Sequence, residues 1–151
     1  MAVLVAGIGN LFLGDDGFGV EVLRRLSQRP LPEGVRAVDF GIRGVDLAYA
    51  LLENWEAAIF VDATPRGGAP GTLYLLEPRT DGPPSIEAHS MDPVRVLSLA
   101  RELGPIPPVL RVVGCEPADV EEGIGLSPQV EAAVEPAIER IKTLLAELRH
   151  A

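Results

Sequence analysis

Met1-Ala2-Val3-Leu4-Val5-Ala6-Gly7-Ile8-Gly9-Asn10-Leu11-Phe12-Leu13-Gly14-Asp15-Asp16-Gly17-Phe18-Gly19 is the stretch that decides the fold. The apolar run from Val3 to Ile8 reads as a buried strand. It ends in Gly7-Ile8-Gly9-Asn10, where glycine lets the backbone turn sharply and approach another group closely. Two adjacent carboxylates, Asp15 and Asp16, follow between Gly14 and Gly17, and an amphipathic helix begins near Val20. A pair of acids is therefore expected on a tight loop at the carboxyl end of a first strand, which is where open α/β sheets bind ligands. Helix capping and complementing the helix dipole compete as roles for both acids.

The nearest familiar spacing is the dinucleotide fingerprint G-x-G-x-x-G, but Phe12 stands where the third glycine belongs. The loop is acidic where a pyrophosphate would sit, and like charges repel. A nucleotide-binding module, with Asp39 as a ribose acceptor, is thus the weaker reading.

Further along, strands and helices alternate. A helix is expected over Val20–Leu26, a strand over Val35–Phe40, a helix over Val45–Glu53 and a strand over Ala57–Val61 that ends at Asp62. Thr72–Leu76 has no helix before it and is expected antiparallel or at an edge. Arg79–Glu87, with Pro83-Pro84, reads as a mobile connection. Asp92-Pro93 reads as an N-cap followed by proline at the first helical position, opening a helix that runs to about Leu103. Val109–Val113 is a fifth strand, followed by an acidic loop from Cys115 to Gly125. Ser127-Pro128 opens a long last helix that Pro136 is expected to kink. The pattern predicts one domain over residues 1–151, an α/β fold of three layers: a mostly parallel, twisted sheet of about five strands with helices on both faces.

Composition narrows the function. A chain of 151 residues with 47% hydrophobic and 23% charged residues is globular. A net charge of −9 argues against nucleic acid or an anionic membrane as partner, since both need a cationic face. No apolar run approaches the ~18 residues of a membrane span. The N-terminus has no basic segment ahead of a long apolar run, and a single cysteine forms no internal disulfide, so a cytoplasmic location is expected.

If the strands run parallel, Asn10, Asp16, Asp39, Asp62 and Cys115 line one rim. Asp62 follows the buried Ile59-Phe60-Val61, so its carboxylate is partly desolvated and needs a partner, or else caps the turn after it. His89 lies between the polar connection and a helix start; His150 ends the last helix. With Asp16 and Asp62, His89 would complete a set of two carboxylates and one imidazole suited to a borderline divalent ion such as nickel or zinc. The spacing matches no closed metal motif. Acidic neighbours, Glu116, Asp119, Glu121 and Glu122, disfavour a reactive Cys115 thiolate, and no G-x-S-x-G elbow supports a serine triad.

In Gly7-Ile8-Gly9-Asn10 with Asp15-Asp16-Gly17, in Val61-Asp62-Ala63 and Ala69-Pro70-Gly71-Thr72, in His89, and in Gly125-Leu126-Ser127-Pro128 and Val134-Glu135-Pro136-Ala137, the chain resembles the hydrogenase maturation endopeptidases. The likeness covers nearly the whole chain. It implies a phosphorylase/hydrolase-like α/β fold. It further implies an endopeptidase, aspartic-type or metal-assisted, that removes the C-terminal extension from the nickel-loaded precursor of a nickel-iron hydrogenase large subunit. By position Asp16, Asp62 and His89 match the family's metal-contacting residues, with Asp16 and Asp62 as candidates to activate water. Nickel would be supplied by the substrate, and zinc or cadmium could substitute for it. The family's first acid is often glutamate, and its second turn is often Gly-Thr-x-Gly where this chain has Gly41-Ile42-Arg43-Gly44. A non-catalytic nickel-sensing assembly chaperone on the same fold is the alternative. The oligomeric state stays open, a monomer being compatible with everything above.

Overall fold

The computed structural model describes residues 1–78 and 92–150. Five strands form one sheet: β1 (Val3–Ile8), β2 (Val35–Gly41), β3 (Ala57–Ala63), β4 (Leu73–Leu76) and β5 (Val109–Cys115). Their order is β2-β1-β3-β5-β4, and only β4, at one edge, runs antiparallel. This is the expected architecture, including the antiparallel edge strand.

The two-residue period of the pleat divides the core. Val3 and Val5 of β1 and Ile59 and Val61 of β3 face α1 (Phe18–Leu26) and the C-terminal helices. Leu4, Ala6 and Ile8, with Ala58 and Phe60, face α2 (Gly44–Ala50) and α3 (Pro93–Leu103). Both faces of the sheet are covered, which is why its central strands read as continuous apolar runs. Surface charges reinforce one seam. Arg25 of α1 bonds Glu131 and lies 3.1 Å from Glu135, while Arg29 reaches Glu135 at 2.8 Å.

Several expected boundaries shift. Helix α2 stops at Ala50, with Leu51–Glu53 forming a turn. Strand β3 continues through Asp62 to Ala63 and β5 continues to Cys115, because Asp62 pairs with Gly114 and Ala63 with Cys115. Asp62 and Cys115 therefore lie inside strands, not after them. The last helix is interrupted: α4 (Pro128–Glu131) and α5 (Val134–Arg149) are separated by a turn at residues 132–133. A proline ring clashes with the carbonyl four residues back, here Ala132, but is tolerated in a first turn, where the missing N–H has no intrahelical partner. Pro136 thus sits in the first turn of a new helix and does not kink an old one. The Asp92 cap is observed, its side chain accepting from Arg95 N at 2.9 Å. The connection at 79–87 lies outside the described residues.

Candidate active site

The carboxyl ends of β1, β2, β3 and β5 share one rim, since these strands are parallel. At the end of β1 the chain turns at Gly9-Asn10, passes through a single 3-10 turn, Gly14–Gly17, and enters α1. Gly9 has φ +148°, and a Cβ there would lie 2.0 Å from the carbonyl oxygen of Asp16. Only glycine lets the loop fold back this tightly. Gly19 serves the same contact from the helix side: a Cβ there would meet the carbonyl oxygens of Val61 at 2.2 Å and Ile8 at 2.4 Å. α1 is thereby seated directly on β1 and β3, and the Asp15-Asp16 loop is carried to the rim.

The two adjacent acids have different fates. Asp16 is half-buried, and its Oδ2 accepts from the backbone N–H of Asn10 at 2.8 Å. Asn10 in turn accepts from Phe12 N at 2.9 Å, which fixes the turn. Asp15 is buried, 1% exposed. It accepts from Ala118 N (2.8 Å), Asp119 N (3.0 Å), Ser127 N (2.7 Å) and Ser127 Oγ (2.9 Å). Burial pushes its carboxyl up, but these bonds outweigh it and hold the pKa below the ordinary value. Neither acid caps a helix. Asp15 is an anchor that ties the first loop to a segment more than a hundred residues away.

Asp62 lies at the end of β3 and is 7% exposed. Burial pushes its carboxyl well above the usual range, and the negative charges of Asp16 and Asp92 push it further, against one bond from the Ala63 backbone. Asp16 and Asp62 thus lie at the same rim, after β1 and on β3, near enough for the charge of one to act on the other. Asp92 joins them electrostatically from the N-cap of α3. His89 lies outside the described residues. Among the described residues no group of three His, Cys, Asp or Glu side chains is placed to hold a metal.

A second carboxylate anchor was not foreseen. Glu116, just beyond β5, is buried and accepts at Oε1 from Arg66 N (2.8 Å), Gly68 N (2.9 Å) and Tyr74 Oη (2.7 Å). These bonds, Tyr74's foremost, lower its pKa. It fastens the loop after β3. In the sequence it looked like one acid of an acidic loop; the only local signal was its place directly after a buried strand. Cys115 is buried, and desolvation, followed by the charges of Asp15 and Glu116, pushes its thiol up to about 12. It is no nucleophile at neutral pH. Asp39 is exposed and braces its own turn, accepting from Gly41 N at 2.8 Å.

A pair of acids at the rim, one desolvated and one half-buried, can carry a proton to and from an attacking water, or bind a divalent cation between them. Known proteins share this sequence and fold. The family model described as hydrogenase maturation protease matches residues 20–144. The hydrogenase 2 maturation protease of Escherichia coli K12 is 37% identical over 97% of this chain and 92% of its own. The solved structure of the hydrogenase maturating endopeptidase HybD from E. coli superposes with a TM-score of 0.82 at 36% identity, covering 97% of this chain and 93% of that one. The hydrogenase 2 maturation peptidase from Thaumarchaeota archaeon SCGC_AB-539-E09 gives 0.74 at 33% identity, covering 97% and 99%. Fold and likeness together define the class, an α/β endopeptidase. The chain belongs to the hydrogenase maturation protease family. Family membership sets aside the nucleotide-binding reading. No helix among the described residues is long and apolar enough to cross a membrane.

Proposed function

We propose that this protein removes the C-terminal extension from the nickel-loaded precursor of a nickel-iron hydrogenase large subunit, and that Asp16, Asp62 and His89 read the nickel the substrate carries. The observation that carries this reading is the burial of Asp62 at the end of β3, on the rim that also carries Asp16 and within reach of its charge. Two like charges held together in a partly desolvated place repel each other. A cation arriving between them relieves that repulsion. Carboxylate oxygens and an imidazole are a donor set that suits a divalent ion still partly held by another protein.

Cleavage adds water across one peptide bond. The water oxygen bonds to the scissile carbonyl carbon, the C–N bond breaks, and the leaving nitrogen takes a proton. A carboxyl of the Asp16–Asp62 pair accepts the proton from water and returns it to that nitrogen; a raised pKa suits Asp62 to the second task. The partner is a folded precursor, not nucleic acid or membrane, in keeping with the net charge of −9. A cytoplasmic location accords with a lone, buried, unpaired cysteine.

The test offers chelator-treated enzyme two precursors side by side, nickel-loaded and nickel-free, and reads cleavage by mass. Only the loaded precursor should be shortened. Efficient cleavage of nickel-free precursor by metal-loaded enzyme would identify an ordinary metalloprotease and end the idea of a substrate-borne signal.

A further inference from the structure

The loops beside the acid pair carry apolar side chains that face water. Phe12 is 62% exposed and Ile124 73% exposed, and Leu11 and Val120 are exposed as well. The two segments are knit together by backbone bonds: Gly123 N to Phe12 O at 2.8 Å, Gly14 N to Gly123 O at 2.8 Å and Asp15 N to Asp119 O at 2.8 Å. Residues 118–125 are all exposed. Even so, the segment is pinned, because the buried Asp15 holds Ala118 and Asp119 on one side of it and Ser127 on the other. Exposed apolar groups on a fixed shelf next to a reactive site mark an interaction surface. The shelf is also charged in one sense, with Asp119, Glu121 and Glu122 interleaved among its apolar residues.

We infer that this shelf, built from Leu11, Phe12, Val120 and Ile124, docks the folded body of the precursor, through a surface of apolar residues bordered by lysine and arginine. The inference rests on the function proposed above and adds to it a recognition surface distinct from the acid pair. Charge complementarity chooses the occupant: an apolar patch set among three carboxylates favours a basic, apolar partner over a second copy of this acidic chain. The shelf continues directly into Asp16 through Gly14 and Asp15, so a partner seated on it presents its chain end to the acids.

The experiment measures processing of nickel-loaded precursor by Phe12→Ser, Ile124→Ser and Glu121→Lys, with Leu75→Ser, an exposed apolar residue of the edge strand β4, as control. Phe12→Ser and Ile124→Ser should each raise KM about tenfold, the scale of one lost anchor, at unchanged kcat. Glu121→Lys should raise KM at low salt and lose its effect at high salt. Leu75→Ser should match the unsubstituted protein. Unchanged KM in both apolar variants would overturn the inference. So would a homodimer that Ile124→Ser converts to monomer, since the shelf would then serve a second copy. If the unsubstituted protein fails to cut the precursor, the proposed function is what fails. The shelf is then judged by calorimetric titration of the same precursor into Asp62→Asn with and without Ile124→Ser. A tenfold weakening supports it, and equal binding or none refutes it. Circular dichroism confirms that each variant is folded.

Discussion

Asp15→Asn is the sharpest probe of how this rim is built. Asp15 Oδ2 accepts three hydrogen bonds and Oδ1 one, that from Ser127 N. The least costly asparagine turns its amide nitrogen toward Ser127, so one bond is lost and two donors face each other in a buried place. The remaining three bonds fall from charge-assisted to neutral. A bond to a charged group is worth about 1.5–3 kcal/mol and a neutral one about 0.5–1.5 kcal/mol. Because the losses share one site and the partner loop is exposed to water, we expect a total of about 3–4 kcal/mol. For a chain of this size that is a fall in Tm of roughly 6–16 °C. The effect carries its own pH signature. The folded carboxyl has a lowered pKa, so its contribution is full above the unfolded value of about 3.9 and is lost as pH falls through the lower folded one. The gap between the two proteins should be wide at pH 7 and close below about pH 4. Thermal melts from pH 3 to 7 and amide exchange at Ala118, Asp119 and Ser127 check both halves. A fall of less than about 2 °C at pH 7 would refute the anchor role.

The acid pair should behave oppositely to Asp15. Asp16→Asn and Asp62→Asn are each expected to slow processing by at least about a hundredfold. Asp62→Asn should be as stable as the unsubstituted protein or more so at pH 7, because the folded pKa is raised and the buried charge opposes folding above the unfolded value; a melt separates these effects. Gly19→Ala should cost about 3 kcal/mol or more, since its Cβ meets two strand carbonyls, and a soluble variant of normal Tm would contradict the packing described. Cys115→Ala should process at a normal rate, and Cys115 should resist thiol reagents at neutral pH until the protein unfolds; loss of activity in a folded alanine variant would point to a nucleophilic cysteine.

What was legible in the sequence was periodic or local. The apolar runs of β1, β3 and β5 announce a sheet covered on both faces, and Asp92-Pro93 announces the helix it caps, because each signal is written within a few residues. That Asp16 and Asp62 share one rim followed from topology, since parallel neighbours end on the same side. Long-range hydrogen bonding was not legible. Nothing near Asp15 says that its partners are Ala118 and Ser127, and nothing near Glu116 names Arg66, Gly68 and Tyr74. The extension of β3 to Ala63 likewise depends on pairing with β5, which a strand's own residues do not encode.

The anchoring of Asp15 and Glu116 has a consequence for what ions this rim can hold. An ionised carboxylate offers about four lone-pair sites. Asp15 spends four on protein donors, and three donors converge on one oxygen of Glu116. Asp16 carries one such donor, from Asn10, and Asp62 one, from Ala63. A cation that reaches this end of the sheet therefore finds Asp15 saturated, whereas Asp16 and Asp62 each keep open lone pairs. In a chain with 22 aspartates and glutamates, that occupancy turns general acidity into an address.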